Sequence, residues 1–506
     1  MRSLKIIFTS IALILLIACR GFTSAPTPVF VDHGALPKPL TAKATLFKEN
    51  NLIIGIIGET DRPGYVYAEY WLGSKLRWRT KTVKTNNEDY EIHVVRLRAE
   101  TDYSFQVFGT DLAGNNFAGP VGTFSTGDLP IGLEDAEFHV MAGTPTHDLT
   151  YMEFRQKSFK GFAAIDTEGY VVWYYSALPG EEPYVMARRD NGNIVYLAGG
   201  KRVVAAGLVE INPLGEEQHR LEDTCPPNGP MHHEVSLLND GRIMYLSRDV
   251  LRPGFGNPPI AQEGDTLGIW NPHDGSNQIV WNIFDFISPE DRVSPDSDNT
   301  LPDQFMWGGC DGDVTVQDWS HGNSANVALN GTVVISLRHL DQIIAIDRDF
   351  KSIKWRLGGP GSDFAFPDSE DRFYHQHTAS LLPNGNVLLF DNGNDRPEGE
   401  GGEYSRALEL ELDFHTMTAR RIWEFRNRPD IFADCCSIVH RLDNGNSLIL
   451  FGINAAPVCC RPFTIIETNQ SGEIIWSVDH RSPGKFSQYR IYPSDSIMGE
   501  VKVINR

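Results

Sequence analysis

From about residue 160 to residue 476 one short pattern returns six times: a β-type run, a polar turn near Asp or Gly, and a second β-type run that usually ends in Trp. The six segments are GFAAIDTEGYVVWYY, GLVEINPLGEEQHRL, TLGIWNPHDGSNQIVW, QIIAIDRDFKSIKW, RALELELDFHTMTARRIW and FTIIETNQSGEIIW. A unit repeated at this spacing buries its apolar face against its neighbours rather than alone, so the pattern predicts a repeat architecture. Between these outer hairpins lie five others with Asn-Gly or Asp-Gly turns, at Asn191-Gly192, Asp240-Gly241, Asn330-Gly331, Asn384-Gly385 and Asn444-Gly445. Such dipeptides are the type I′ hairpin signal. Six outer and five inner hairpins predict an all-β chain with a six-bladed β-propeller over residues 135–500. The remaining inner hairpin comes from residues 136–155, from QYRIYPSDSI near the C-terminus, or from both, and the pattern does not choose.

Ahead of the repeats the chain reads differently. MRSLKIIFTSIALILLIACR has a basic start at Arg2 and Lys5 and an apolar run from Ile6 to Ala18, the length of an export signal and too short to span a bilayer. Leu16-Ile17-Ala18-Cys19 resembles the bacterial lipobox, which implies removal of residues 1–18 and a lipid on Cys19. Arg20, where an Asp would favour retention at the inner membrane, implies the periplasmic face of the outer membrane. Residues 19–38 are rich in Pro, Thr, Ser and Ala without hydrophobic period and read as a tether. Residues 39–127 hold short alternating runs such as YVYAEYWL, YEIHVVRL and YSFQVFGTD, which predict a small β-sandwich. LRAETDYSFQVFGTDLAGN resembles a fibronectin type III end strand, with Tyr103 at the tyrosine-corner position.

A formal net charge of -21 excludes non-specific nucleic-acid binding, which needs a basic footprint. Beyond Cys19 stand Cys225, Cys310, Cys435, Cys436, Cys459 and Cys460, an even number that suggests disulfides in an exported chain. Cys225 and Cys310 occupy corresponding loops before His-bearing strands and form the favoured pair, and the two Cys-Cys dipeptides flank one hairpin that they could bridge. No CxxC spacing occurs, which disfavours a cysteine metal site.

The inner hairpins also align the candidate chemistry. Eight residues before each turn Gly stand Tyr184, His233, Asn323, His377 and Ser437, one rung of the inner strand in each blade. Strand alternation adds His321 beside Asn323, and Arg338 and Arg248 each lie seven residues after a turn Gly. A lone histidine is more often a satisfied core residue than a catalyst, but several on equivalent rungs of a ring form a cluster that is costly to bury without a ligand. Three histidines suit Zn²⁺ by ligand type, a reading that Arg338 opposes by repelling the cation. Imidazole, carboxamide and guanidinium instead surround an oxyanion with donors, leaving one neutral imidazole nitrogen as a nucleophile.

DWSHGNS (318–324), ISLRH (335–339), HQHTASL (375–381) and FDNGN (390–394) resemble motifs of the bacterial arylsulfate sulfotransferases, six-bladed propellers with a small N-terminal β-sandwich. The resemblance extends over the propeller and implies sulfuryl transfer from an aryl sulfate to a phenol in two steps, without nucleotide donor, metal or other cofactor. It implies that His377 forms a sulfohistidine, that Arg338, His321 and Asn323 grip the sulfuryl oxygens, and that HHE (232–234) holds a further family histidine, for which the rung count chooses His233 over His232. His233 or His321, protonated, assists phenolate departure, and the residues do not choose between them. Two positions depart from the pattern: residues 358–375 lack the family's cysteines, and Cys436 or Ser437 replaces a Thr in the substrate site. The partners implied are small aryl sulfates and phenols, with the membrane met only through the lipid and a homo-oligomer permitted. The alternative is a non-catalytic propeller that binds an anionic or aromatic ligand or a partner of the cell envelope.

Overall fold

The computed structural model describes residues 41–503 apart from 62, 75, 87–88, 156–157, 200–204, 223–230, 253–260, 290–315, 453–462 and 481–487. Among them every regular element longer than three residues is a β-strand, and no helix is long and apolar enough to cross a membrane. The signal, the tether and Cys19, Cys225, Cys310, Cys459 and Cys460 lie outside the described residues.

Six antiparallel sheets carry the repeats. Five run in simple chain order from an innermost strand outwards: Glu182–Arg188 to Glu217–Glu222, His232–Leu237 to Asn277–Asn282, Gly322–Val327 to Ile353–Leu357, His377–Leu381 to Thr418–Phe425, and Ile438–Arg441 to Ile474–His480. We number these the second to the sixth sheets. The first takes Leu149–Arg155, Lys160–Asp166 and Val171–Ser176 from one end of the chain and its innermost strand, Ile491–Ser494, from the other. Phe138–Gly143 meanwhile adds an outermost strand to the sixth sheet. Both of the segments that the sequence left open are therefore used. Innermost strands of consecutive sheets touch in order, and His440 of the sixth reaches the Ile491 carbonyl of the first at 2.7 Å.

The five inner turns are not type I′. Each turn Gly has positive φ, between 81° and 93°, but the Asn or Asp before it does not. The Gly N–H instead closes a type I turn, as from Gly192 to the Arg189 carbonyl, and the glycine forms the bulge of a three-residue loop. Asn or Asp precedes it because its side-chain oxygen accepts the N–H two residues on, from Asn193, Arg242, Thr332, Asn386 and Asn446 in turn.

Apolar cores fill the spaces between neighbouring sheets. Val334, Ile343 and Trp355 of the fourth sheet pack against Ala379, Leu389 and Leu408 of the fifth, which explains why a repeat cannot stand alone. Two further sheets built on Asn50–Glu59 and Pro63–Leu72 precede the six, enclosing Ile54, Ile56, Tyr70, Phe105 and Val107. There the Tyr103 hydroxyl accepts the Arg98 N–H at 3.0 Å. This unit is tied to the first sheet by Arg98 to Asp166 at 2.7 Å and by Asn50 Nδ2 donating to the Tyr174 carbonyl at 2.6 Å. Strand Val501–Lys502 pairs with Leu76–Arg79 and brings the C-terminal end back to it.

Candidate functional site

The innermost strands are irregular where they meet. Register breaks fall between Tyr184 and Met186, His232 and Val235, Gly322 and Ser324, and His377 and Ala379. Bulges of this kind turn side chains away from strict alternation and concentrate near functional sites. Seven of the thirteen non-glycine residues with positive φ among the described residues sit here: Val185, His233, His321, His375, Thr378, Cys436 and Ser437. Each costs on the order of 1 kcal/mol, so the surrounding contacts must hold them.

His377 is buried at the start of its strand, and its Nδ1 lies 2.9 Å from Asn392 Oδ1. Neighbouring residues hold its backbone. Asn323 places its carboxamide across the chain on either side, donating to the Gln376 carbonyl at 2.7 Å and accepting the Thr378 N–H at 3.3 Å. The Gln376 side chain staples the strand to the fourth sheet through Ser336, Leu337 and Gln342. Burial, with the Arg338 guanidinium close by, pushes the His377 imidazolium well below its ordinary range, so the ring is neutral near pH 7.

The other histidines form a packed series. His233 lies 5.0 Å from His321 between ring centroids, and His321 lies 4.5 Å from His339. His321 arrives by a different route from the one strand alternation predicts: it sits just outside the strand with φ of 49°, and Asn323 occupies the bulge. Asp318 Oδ2 approaches His321 Nδ1 at 2.5 Å. His232 stands behind His233: its Nε2 donates to the Ser247 carbonyl at 3.1 Å, which leaves its Nδ1 to accept from His233 Nδ1 at 2.9 Å when the rings are neutral. Burial lowers both of these histidines well below the usual range, and burial with His321 nearby lowers His339 to about 3. Asp318 is held in the opposite sense, its carboxyl pulled low against burial chiefly by His321 and His339.

Arg338 begins the three-residue 3-10 turn Arg338–Leu340, is mostly buried, and donates to the Asp434 carbonyl at 3.4 Å. Arg248 pairs with Glu263 at 2.9 Å on the side of His232 and His233. Ser437 is fully buried and accepts the Gly452 N–H at 3.1 Å. Cys435 and Cys436 precede it with sulfurs 3.0 Å apart and are not bonded to one another.

Sequence reasoning passed over four contributors. Tyr489 lies against both sides, 6.0 Å from His377 and 5.8 Å from His233 between ring centroids. Arg490 beside it makes a buried two-point ion pair with Glu234 at 3.0 Å and donates to the Asn323 carbonyl. Both belong to QYRIYPSDSI, one of the two segments left open for closing the sheets, and their side chains were not singled out. Asn392 and Asp318 stood in quoted motifs, and each had a signal: Asp318 lies three residues before His321 in DWSH, and Asn392 lies seven residues after the turn glycine Gly385, the rung that Arg248 and Arg338 take in their own hairpins.

A model of the arylsulfotransferase (ASST) family matches residues 139–475. The chain belongs to that family. Over 174 residues it is 28% identical to the arylsulfate sulfotransferase AssT of Escherichia coli, an alignment that covers 27% of this chain and 28% of the relative. Among solved structures, a protein of unknown function from Bacteroides caccae is 13% identical, covers 69% of this chain and 100% of its own, and has a TM-score of 0.42. A virginiamycin B lyase from Staphylococcus aureus is 8% identical over 69% of this chain and 100% of that one, with a TM-score of 0.34. The family match covers all the site residues except Tyr489 and Arg490.

Proposed function

We propose that this member of the arylsulfotransferase family transfers a sulfuryl group from an aryl sulfate to a phenol, with His377 as the covalent carrier. The observation that carries the reading is a buried, neutral His377 with one nitrogen engaged by Asn392 and Arg338 close by. A neutral imidazole with a single lone pair is a nucleophile, and a guanidinium beside it favours a sulfuryl group whose oxygens carry the charge. Sulfuryl transfer resembles phosphoryl transfer in its loose transition state, so positioned donors supply most of the rate enhancement. Asn323 holds the His377 backbone, and Ser437 joins the last inner strand to the Tyr489 segment. His321, paired with Asp318, is the stronger candidate to protonate the departing phenolate, because the Asp318 carboxylate holds its Nδ1 and orients the ring.

The six sheets are read as a six-bladed propeller over residues 135–500. The preceding sheets over 39–127 are read as a fibronectin type III-like sandwich, supported by the Tyr103 to Arg98 hydrogen bond. Residues 1–18 are the export signal and Cys19 the lipid anchor, on the periplasmic face of the outer membrane. Loss of palmitate labelling in Cys19→Ser tests the last point.

The function is tested with 4-nitrophenyl sulfate and phenol in the absence of any nucleotide. Nitrophenol release that depends on phenol, with phenyl sulfate as the second product, supports it. Tight sulfate retention without turnover refutes it. Trapping at high pH, where an N-sulfonate survives, should leave one SO₃ on the peptide that contains His377.

A further inference from the structure

Asn392 follows the strand Val387–Asp391 and is completely buried. Its Nδ2 donates to two carbonyl oxygens, those of Ala433 at 2.7 Å and Cys436 at 3.2 Å. These acceptors settle the orientation of the carboxamide, because the reverse would set its oxygen against two others. Ser405 locks the arrangement by donating its one hydroxyl hydrogen to the Asn392 carbonyl at 2.7 Å while accepting the Ala433 N–H at 2.8 Å. Oδ1 is thereby turned to His377 Nδ1 at 2.9 Å. An amide oxygen only accepts, so Nδ1 carries the hydrogen and the lone pair of the neutral ring resides on Nε2.

We infer that Asn392 is the positioning residue that selects Nε2 of His377 as the attacking atom and keeps the proton on Nδ1 throughout transfer. The inference rests on the reading of His377 as carrier. In the first step the Nε2 lone pair forms the N–S bond while the ester S–O bond breaks, and its electron pair leaves on the aryl oxygen, which then takes a proton. The ring becomes positive, with Nδ1–H retained. Were that proton lost, the ring would depart as an anion when the acceptor phenol attacks, and the second step would be slow. An amide suits both steps. It accepts from the charged ring, yet carries no charge that would favour imidazolium in the free enzyme and remove the lone pair. The charged and titratable groups otherwise close to His377 include Arg338, His321, Arg490, His233 and the Tyr489 phenol.

The test uses the full chain and two readouts. First, wild-type protein is mixed rapidly with 4-nitrophenyl sulfate, quenched in alkali, digested, and its sulfohistidine compared with both ring isomers. The Nε2 isomer on His377 is expected. The Nδ1 isomer overturns this inference alone, whereas no adduct on His377 overturns the carrier reading and this inference with it. Second, single-turnover rates are measured against pH for Asn392→Leu and Asn392→Asp, with folding checked by near-UV circular dichroism. Asn392→Leu should form the adduct roughly tenfold or more slowly, through loss of the required tautomer. Asn392→Asp should move the acid limb to higher pH, because a carboxylate stabilises the imidazolium. Wild-type rates in the first variant, or equal losses in both with no movement of the limb, would mean that Asn392 only supports the loop around Ala433. If neither variant folds, the isomer found in the wild type still decides.

Discussion

His377 and His321 are each held through Nδ1, but by opposite kinds of partner. The fifth sheet gives His377 a neutral carboxamide within fully buried surroundings. At the entry to the fourth sheet, partly buried His321 receives the Asp318 carboxylate. The amide fixes the His377 tautomer with its hydrogen on Nδ1, while burial and Arg338 keep that ring neutral. On the proposed reading the first ring is the nucleophile and the second the acid, and the difference lies in the residue behind each ring.

The sharpest way to break this comparison is to exchange its consequences. His377→Ala should abolish both the adduct and turnover, while His321→Ala should slow the adduct without moving it. Sulfation of another residue in either variant would reverse the assignment. Next in size, Asp318→Asn should slow transfer from phenyl sulfate by roughly a hundredfold, the range of a lost general acid, yet slow 4-nitrophenyl sulfate far less. The less basic nitrophenolate needs little proton transfer. An equal loss with both donors would make Asp318 a scaffold. Arg338→Lys should lose roughly tenfold in turnover, or about 1.4 kcal/mol, because a point charge replaces a planar fork. Near-normal kinetics would mean that Arg338 is a structural residue at the strand end.

The smallest effect concerns stability. Burial lowers the pKa of His232, His233 and His377, and lowers that of His440 and His480 to about 4. Below the unfolded histidine value, roughly 6.5, the unfolded chain binds more protons than the native one, so stability falls as pH falls. Asp265, raised to about 6, and Glu153 and Glu234, also raised, all mainly by burial, act in the opposite sense, gaining stability as they protonate, but they are three groups against these five histidines and His339. The melting temperature should therefore be lower at pH 5 than at pH 7, and His440→Gln should reduce the difference. A flat profile would mean that these rings are solvated.

Much of this was legible in the sequence because repeats expose their own register. Trp355 and Trp476 mark the outer strands, and the Asn-Gly turns mark the inner ones, so a count of eight residues reached His233, Asn323 and His377. The count assumed regular strands. It could not anticipate that the bulge at Asn323 turns that carboxamide onto the backbone around His377, or that His321 enters from outside the strand. The turn type was misjudged for a similar reason, since Asn-Gly serves equally well when only the glycine takes positive φ. Tyr489 was missed because no periodicity relates it to His377, and Asn392 because the rung seven residues after each turn glycine was followed only for its arginines. They meet it 112 and 15 residues along the chain through closure and strand pairing.

That closure makes the site a test of the chain's completeness. Ile491–Ser494 is the innermost strand of the first sheet, and Tyr489 and Arg490 just before it touch the third, fourth and fifth sheets. During synthesis from the N-terminus five sheets can pair locally, whereas the first waits for a partner more than 300 residues away, the slow kind of contact. A message cut short between His377 and that strand yields no weakened version of the protein. It yields a chain that has His377 but lacks Tyr489 and Arg490 to pack against it.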